Sequence, residues 1–368
     1  MKDRLTVAYV MAGIDFGGIE KILYEVAHQL RNDKEIDFRI INISGTGRIY
    51  EDMLREGFDI LTCGNDEDVL KKFNFGTVRK LREIIKEMKP DVVHTTQYKA
   101  DYFGRIACIG LDVKVLTHIR NASLHKDFFR RYSNIILDRW TDMYVSVSSV
   151  VKELVDKNYN KTGRPSLVMH NFIDLKKVAN AAPADKASFG LQGKKVIISV
   201  GRLVSVKNID LIISAMPHVL KKVPDAHFLA VGDGGMMNKL KQQVKELGLE
   251  GNVTLAGYRT DVFSLLKMSD IYVMPSSNEG FGNAHLEAMA CGLPGVLSDS
   301  IPTKSFAESC TIYCENDENV IAENICRILS DENLASEMSK EAVRISDGFS
   351  VESYIENFKA IYRELCDL

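Results

Sequence analysis

The feature that most restricts the fold is a unit of strand, glycine loop and helix, whose clearest copy lies late in the chain. Asp270 to Met274 is a short apolar strand, and Ala284 to Cys291 has apolar residues at helical spacing before a Gly292-Leu293-Pro294 stop. The loop Pro275-Ser276-Ser277-Asn278-Glu279-Gly280-Phe281-Gly282-Asn283 joins them. In a parallel sheet such a loop sits at the carboxyl end of its strand. The first amides of the helix then point into the crevice, a place suited to an anion. Glu279 on the loop and Glu287 about one turn inside the helix flank that place. Glu279 can approach a bound group directly, and Glu287 can accept paired hydrogen bonds from a neutral diol. A bare carboxylate repels a phosphate but suits hydroxyls on either side of it.

A second copy opens the chain. Leu5 to Met11 is an apolar run that ends at Ala12-Gly13-Ile14-Asp15-Phe16-Gly17-Gly18, after which Ile19, Ile22, Leu23, Val26, Ala27 and Leu30 mark one helix face. Gly17 and Gly18 let backbone approach a phosphate with no side chain between, although a tight turn also uses glycine for steric reasons alone. Strands and helices then alternate. Strands are expected at Phe38–Ile43, Phe58–Leu61, Asp91–His94 and Val113–Thr117, and helices at Val78–Met88 and Tyr102–Ile109. After a strand at Leu167–Met169 and an Ala/Pro/Asp linker over Ala179–Lys186, the pattern resumes with strands at Val196–Val200, Phe228–Val231 and Val253–Ala256. Helices at Asn208–Leu220 and Met236–Leu247 separate them. Alternation of this kind builds parallel sheets, and 368 residues exceed one ordinary core, so the reading is α/β with two domains.

Two further groups carry chemistry. Gly201-Arg202-Leu203-Val204-Ser205-Val206-Lys207 follows a strand and places two cations at its end with no acidic residue between them. That is what a departing diphosphate needs when no metal is present, whereas surface cations at a helix start oppose its dipole. His118 directly follows the Val113–Thr117 strand, where a lone histidine is either a loop hydrogen-bonder or a ligand contact. Asp66-Glu67-Asp68 reads as an acidic helix start rather than a metal clamp, and Gly232-Asp233-Gly234-Gly235 lacks the full dinucleotide spacing. Seven cysteines without a Cys-x-x-Cys pair fit reduced thiols, so no metal is expected.

No window reaches about 18 uninterrupted apolar residues, and the start runs straight into a strand, so the expectation is a cytoplasmic protein. Residues 1–180 carry 29 Lys/Arg against 25 Asp/Glu, leaving 18 against 25 for the remainder. The basic first half faces an anionic acceptor, a membrane surface or only water. Within it, Asn121 to Trp140 mixes Lys126, Arg130, Arg131 and Arg139 with Phe128, Phe129, Tyr132, Ile135, Ile136 and Leu137. Such a helix either lies on an anionic bilayer or packs its apolar face on the sheet.

Glu279-x7-Glu287 within Glu-Gly-Phe-Gly and Glu-Ala-Met-Ala-x-Gly-x-Pro resembles the signature of the GT4 family of retaining, nucleotide-sugar-dependent glycosyltransferases. Gly17-Gly18-Ile19-Glu20, the Gly201–Lys207 segment, the Val231–Gly234 turn and Leu255-Ala256-Gly257-Tyr258-Arg259-x-Asp261 resemble further segments of that family. So does His170-Asn171-Phe172-Ile173-Asp174, with Phe172 where the family has glycine. The resemblance implies a GT-B fold, two Rossmann-like domains facing a central cleft. The acceptor domain would cover residues 1–175 and the nucleotide-sugar domain 185–350, with a last helix over 351–368 packing back on the first. It implies a metal-independent hexosyltransferase without cofactor, acting in polysaccharide or glycolipid assembly. The donor would be a UDP-sugar, with GDP- and ADP-sugars as alternatives. The acceptor would be a sugar, glycolipid or lipid-linked hydroxyl, with peripheral membrane contact through the first domain and no nucleic acid. Catalysis falls to His118, which in this family reaches the transferred sugar, and to Arg202, Lys207 and Glu279. Donor binding falls to Gly17, Gly18, Arg259, Gly280, Phe281, Gly282, Asn283 and Glu287. A nucleotide-sugar epimerase, a phosphorylase-like enzyme or a non-catalytic nucleotide-sugar-binding protein on the same fold are the competing readings.

Overall fold

A computed structural model of the chain describes residues 4–15, 17–70, 74–121 and 128–367, with the side chains of Phe129 and Arg130 excepted. Phe16 and Lys126, named above, lie outside the described residues. The chain divides into two compact units. One comprises residues 1–171 and 351–368, and the other 172–350.

The first unit holds seven parallel strands: β1 (Leu5–Met11), β2 (Ile36–Asn42), β3 (Ile60–Thr62), β4 (Val92–Thr96), β5 (Lys114–Ile119), β6 (Met143–Ser146) and β7 (Ser166–Val168). Their order across the sheet is β3-β2-β1-β4-β5-β6-β7. The second unit holds six parallel strands: β8 (Lys195–Val200), β9 (Ala226–Val231), β10 (Val253–Leu255), β11 (Ile271–Met274), β12 (Gly295–Ser298) and β13 (Thr311–Cys314). Their order is β10-β9-β8-β11-β12-β13. Both sheets run one way from the first strand and then restart on its other side. The direction reverses between β1 and β4 in one unit and between β8 and β11 in the other, and such reversals open a crevice at the carboxyl ends.

Near-continuous apolar strands follow from burial on both faces. In β8, Ile197 packs into one core cluster with Phe228, Ile212, Met216 and Ile325, while Val196 and Ile198 pack into another with Leu229, Leu265 and Leu297. Each such side chain contributes about 1.5–3 kcal/mol on burial. The structure adds short elements that periodicity did not reveal, among them β6, a helix at Leu175–Asn180 that runs into the first two residues of the expected linker, and β12 and β13. The Asp66–Asp68 segment leads into a 3-10 turn, Glu67–Leu70, with Asp66 Oδ1 accepting from the Asp68 amide at 2.8 Å.

One boundary matters for function. β5 extends through Ile119 because Thr96 and Val145 pair with His118 from both sides. His118 therefore sits inside the strand and is buried, instead of standing just beyond its end. The C-terminal helix, Val351–Asp367, belongs to the first unit, where Phe358 packs against Tyr9 at 6.3 Å and His94 at 5.3 Å between ring centroids.

Candidate active site

In the second unit three loops meet at the carboxyl ends of β8, β9 and β11. The loop after β8 closes in a 3-10 turn, Ser205–Lys207, and Asn208 begins the helix Ile209–Lys222. Asn208 Nδ2 donates to the Pro275 carbonyl at 2.8 Å, and the Ser277 amide to the Val206 carbonyl at 2.9 Å, so the loops after β8 and β11 are stitched together. The loop after β9 presses on the same segment. A Cβ on Gly232, whose φ is +139°, would stand 1.9 Å from the Gly201 carbonyl oxygen, so only glycine fits there.

This stitching brings Lys207 to Glu279. Their ammonium and carboxylate form an ion pair at the strand-order reversal, with side chains 20% and 17% exposed. The sequence shows no acid among the residues from Arg202 to Lys207, but folding supplies one from the next loop. Arg202 stands exposed on the same loop as Lys207. Beyond Glu279, Phe281 is buried against Phe306 and Phe349, with ring centroids 6.0 and 6.3 Å away, which anchors the loop. Gly282, at φ +109°, caps the helix Asn283–Ala290, and no side chain makes a cap hydrogen bond there. The entry to that helix is thus shaped by backbone, as an approach to a phosphate requires.

Glu287 lies on this helix, half-buried. The Tyr272 hydroxyl, inside β11, is pushed up first by burial and then by the carboxylates of Glu279 and Glu287. His285, on the same helix, is buried. Its nitrogens bond Thr303 Oγ1 at 2.9 Å and Thr311 Oγ1 at 3.0 Å, and burial pushes it down to about 3. Arg259 follows β10, two strands from the reversal. Its guanidinium is held by Asp261 through bonds of 2.8 and 2.6 Å and lies over the Phe189 ring.

In the first unit Gly17 caps the helix Gly18–Leu30, again with no side-chain cap bond. Sequence reasoning missed the clasp on this loop. Gln97, just after β4, accepts from the Ala12 amide at 3.1 Å and donates to Glu20 Oε1 at 2.6 Å, bridging the reversal between β1 and β4. Burial raises the Glu20 carboxyl. A polar residue at the carboxyl end of a buried parallel strand was the available signal. His118 Nδ1 meets the Arg120 guanidinium at 3.3 Å.

On the helix Phe128–Leu137, Ser133, Asn134 and Leu137 face inward. Phe128, Tyr132 and Ile136, four residues apart, are 75%, 51% and 55% exposed and form one outward stripe, beside the exposed Arg131. No helix among the described residues is long and apolar enough to cross a membrane.

Two parallel-sheet Rossmann-like units, each with a glycine loop and helix start at its strand-order reversal, define a nucleotide-binding α/β protein of the GT-B class. The family model described as "Glycosyltransferase Family 4" matches residues 16–177 and that described as "Glycosyl transferases group 1" matches residues 182–344. The chain belongs to this family and is a glycosyltransferase. An uncharacterized glycosyltransferase of Haemophilus influenzae is 27% identical over 94% of this chain and 96% of its own. Escherichia coli UDP-Gal:alpha-D-GlcNAc-diphosphoundecaprenol alpha-1,3-galactosyltransferase is 25% identical over 98% and 97%. The crystal structure of Anabaena HepE in complex with UDP and glucose superposes with a TM-score of 0.84 over 98% of this chain and 100% of that one, at 18% identity, a likeness of fold alone.

Proposed function

We propose that the chain moves a sugar from a UDP-sugar to an acceptor hydroxyl, with retention of configuration and without a metal ion. The observation that carries this reading is the Lys207–Glu279 pair at the strand-order reversal, with Arg202 on the same loop. A nucleoside diphosphate is already a good leaving group and needs charge neutralisation rather than protonation, which Arg202 and Lys207 supply. Glu279, held by Lys207, accepts from hydroxyls of the donor sugar, and Glu287 from the ribose diol. Amides at Gly17–Gly18 and at Gly280–Asn283 face the phosphates, and His118 donates to the transferred sugar. Arg259 flanks the base, held in place by Asp261.

Support for UDP comes from the relatives. The E. coli relative is named for UDP-Gal, and HepE and the pneumococcal O-GlcNAc transferase were each solved with UDP. The first of these acts on a diphosphoundecaprenol-linked acceptor, which favours a lipid-linked acceptor and polysaccharide or glycolipid assembly here. The exposed Phe128–Tyr132–Ile136 stripe beside Arg131 suits peripheral contact with an anionic bilayer that carries such an acceptor. Sedimentation with phosphatidylglycerol vesicles should be lost in Phe128→Ser/Ile136→Ser, and retention by that variant would remove the stripe from the account.

A panel of UDP-, GDP- and ADP-sugars tests the donor. At a hundred times its dissociation constant the correct donor adds about 2.7 kcal/mol to stability. UDP-sugars should raise the melting temperature and then support transfer at an unchanged rate in EDTA. Stabilisation by GDP- or ADP-sugars alone overturns the donor assignment. Activity that EDTA abolishes and Mn²⁺ or Mg²⁺ restores overturns the metal-free mechanism.

A further inference from the structure

Arg120, one residue beyond β5, has no part in the chemistry above, yet it is bound on three sides. Its guanidinium donates to Asn171 Oδ1 at 2.7 Å, to the Tyr354 hydroxyl at 3.0 Å and to His118 Nδ1 at 3.3 Å. A guanidinium has no acceptor atom, so in the third contact His118 Nδ1 carries the lone pair. A neutral imidazole has one ring proton, which then resides on Nε2. That Nε2 is buried and has no hydrogen-bond partner among the described residues. The ring is neutral because burial, then the charge of Arg120 and then His94 hold it well below the ordinary histidine range.

We propose that Arg120 is a positioning residue: its hydrogen bond to Nδ1 fixes His118 in the tautomer that offers Nε2–H to an oxygen of the transferred sugar, and the C-terminal helix fixes Arg120 through Tyr354. The inference rests on the reading of His118 as a sugar contact. Without the guanidinium nothing described selects between the two tautomers or the two ring orientations, and a hydroxyl meeting Nδ1 or a carbon edge loses its donor. Around His118 and its two neighbours Arg120 and His94, Arg120 is the dominant charge. His94 on β4, 5.4 Å away between centroids, is itself held well below its usual range by burial and by Arg120. Tyr9 on β1 is pushed up to about 12 and Tyr362 on the C-terminal helix well above 10, both by burial, so both are neutral. Tyr354 is the hydroxyl that accepts from Arg120, and Glu20 on the helix Gly18–Leu30 is a carboxyl raised by burial and bonded to Gln97.

The test is ¹⁵N NMR of the full chain labelled at histidine, across the range in which histidines titrate, read beside the pH profile of kcat. Wild-type His118 should show protonated Nε2 and bare Nδ1 throughout. Arg120→Met should give a mixture of tautomers and a ring that titrates at higher pH, because removing a nearby cation favours the imidazolium. At the pH where the ring is neutral kcat should fall about tenfold with little change in KM, and the loss should shrink as pH falls through the raised titration, because the imidazolium keeps Nε2–H. Arg120→Lys should restore most of the wild-type spectrum. Tyr354→Phe, which keeps the ring packing, should shift the spectrum in the same direction by less. Unchanged His118 signals in both Arg120→Met and Tyr354→Phe overturn the positioning role, as does a wild-type ring protonated at Nδ1. His118→Ala separates the two readings. Full turnover in that variant removes the sugar contact whatever the spectra show, while loss of turnover beside unchanged Arg120→Met spectra keeps the contact and removes the positioning.

Discussion

Alanine at Arg202 or at Lys207 should lower kcat by about a hundredfold or more with the donor KM little changed, since in the proposed mechanism each cation stabilises charge that grows only as the diphosphate departs. The two losses should differ in kind. Arg202 stands exposed on its loop, so its removal takes away one charge and little else. Lys207 neutralises Glu279, whose carboxylate is only 17% exposed, and its removal also leaves that carboxylate facing the departing phosphates without a counter-charge. Lys207→Ala should therefore be the slower enzyme, and adding Glu279→Gln should restore part of its rate, the non-additivity expected of groups in contact. Single-turnover measurements separate this from binding. If both alanines raise KM alone, the cations hold the ground state only. If Lys207→Ala and Glu279→Gln simply add, the pair does not act as a unit.

What the sequence discloses here is local, and what it conceals is set by strand order. The units centred on Gly17–Gly18 and Gly280–Gly282 are legible because a strand, a glycine loop and a helix follow one another without interruption. The Lys207–Glu279 pair joins residues 72 apart and exists because β11 lies beside β8, a neighbour relation that no periodicity reports. His118 shows the same limit at a finer scale. Hydropathy ends its strand at Thr117, but pairing with β4 and β6 draws the next two residues into the sheet. Arg120 is further from view, because its partners at 118, 171 and 354 come together only when the last helix returns to the first unit. The short helix Leu175–Asn180 is too brief to show a repeat, and its start is fixed instead by Asp174, which accepts from the Lys177 amide.

Glu287→Gln should lower affinity for the donor by roughly 1.5–3 kcal/mol while leaving the fold in place. Glu287 lies one turn into the helix Asn283–Ala290, on the element whose glycine-capped entry is assigned to the phosphates, and so within a nucleotide's length of them. In the proposed donor complex this carboxylate accepts from both ribose hydroxyls. The amide keeps the shape, loses the charge and turns one acceptor into a donor, so one hydroxyl is left opposed by an N–H. Glutamate and glutamine have similar helix propensity, and the helix's buried side chains, His285, Leu286, Ala288 and Met289, are unchanged by the substitution. A 2′-deoxy donor carries one hydroxyl fewer. It should bind the wild type less well but lose little further affinity in the variant, because the contact it forgoes is already impaired. Calorimetric titration of both donors into both proteins gives the four affinities. Losses that simply add, or a variant that melts lower and binds normally, would make Glu287 a helix residue and leave the ribose to other groups.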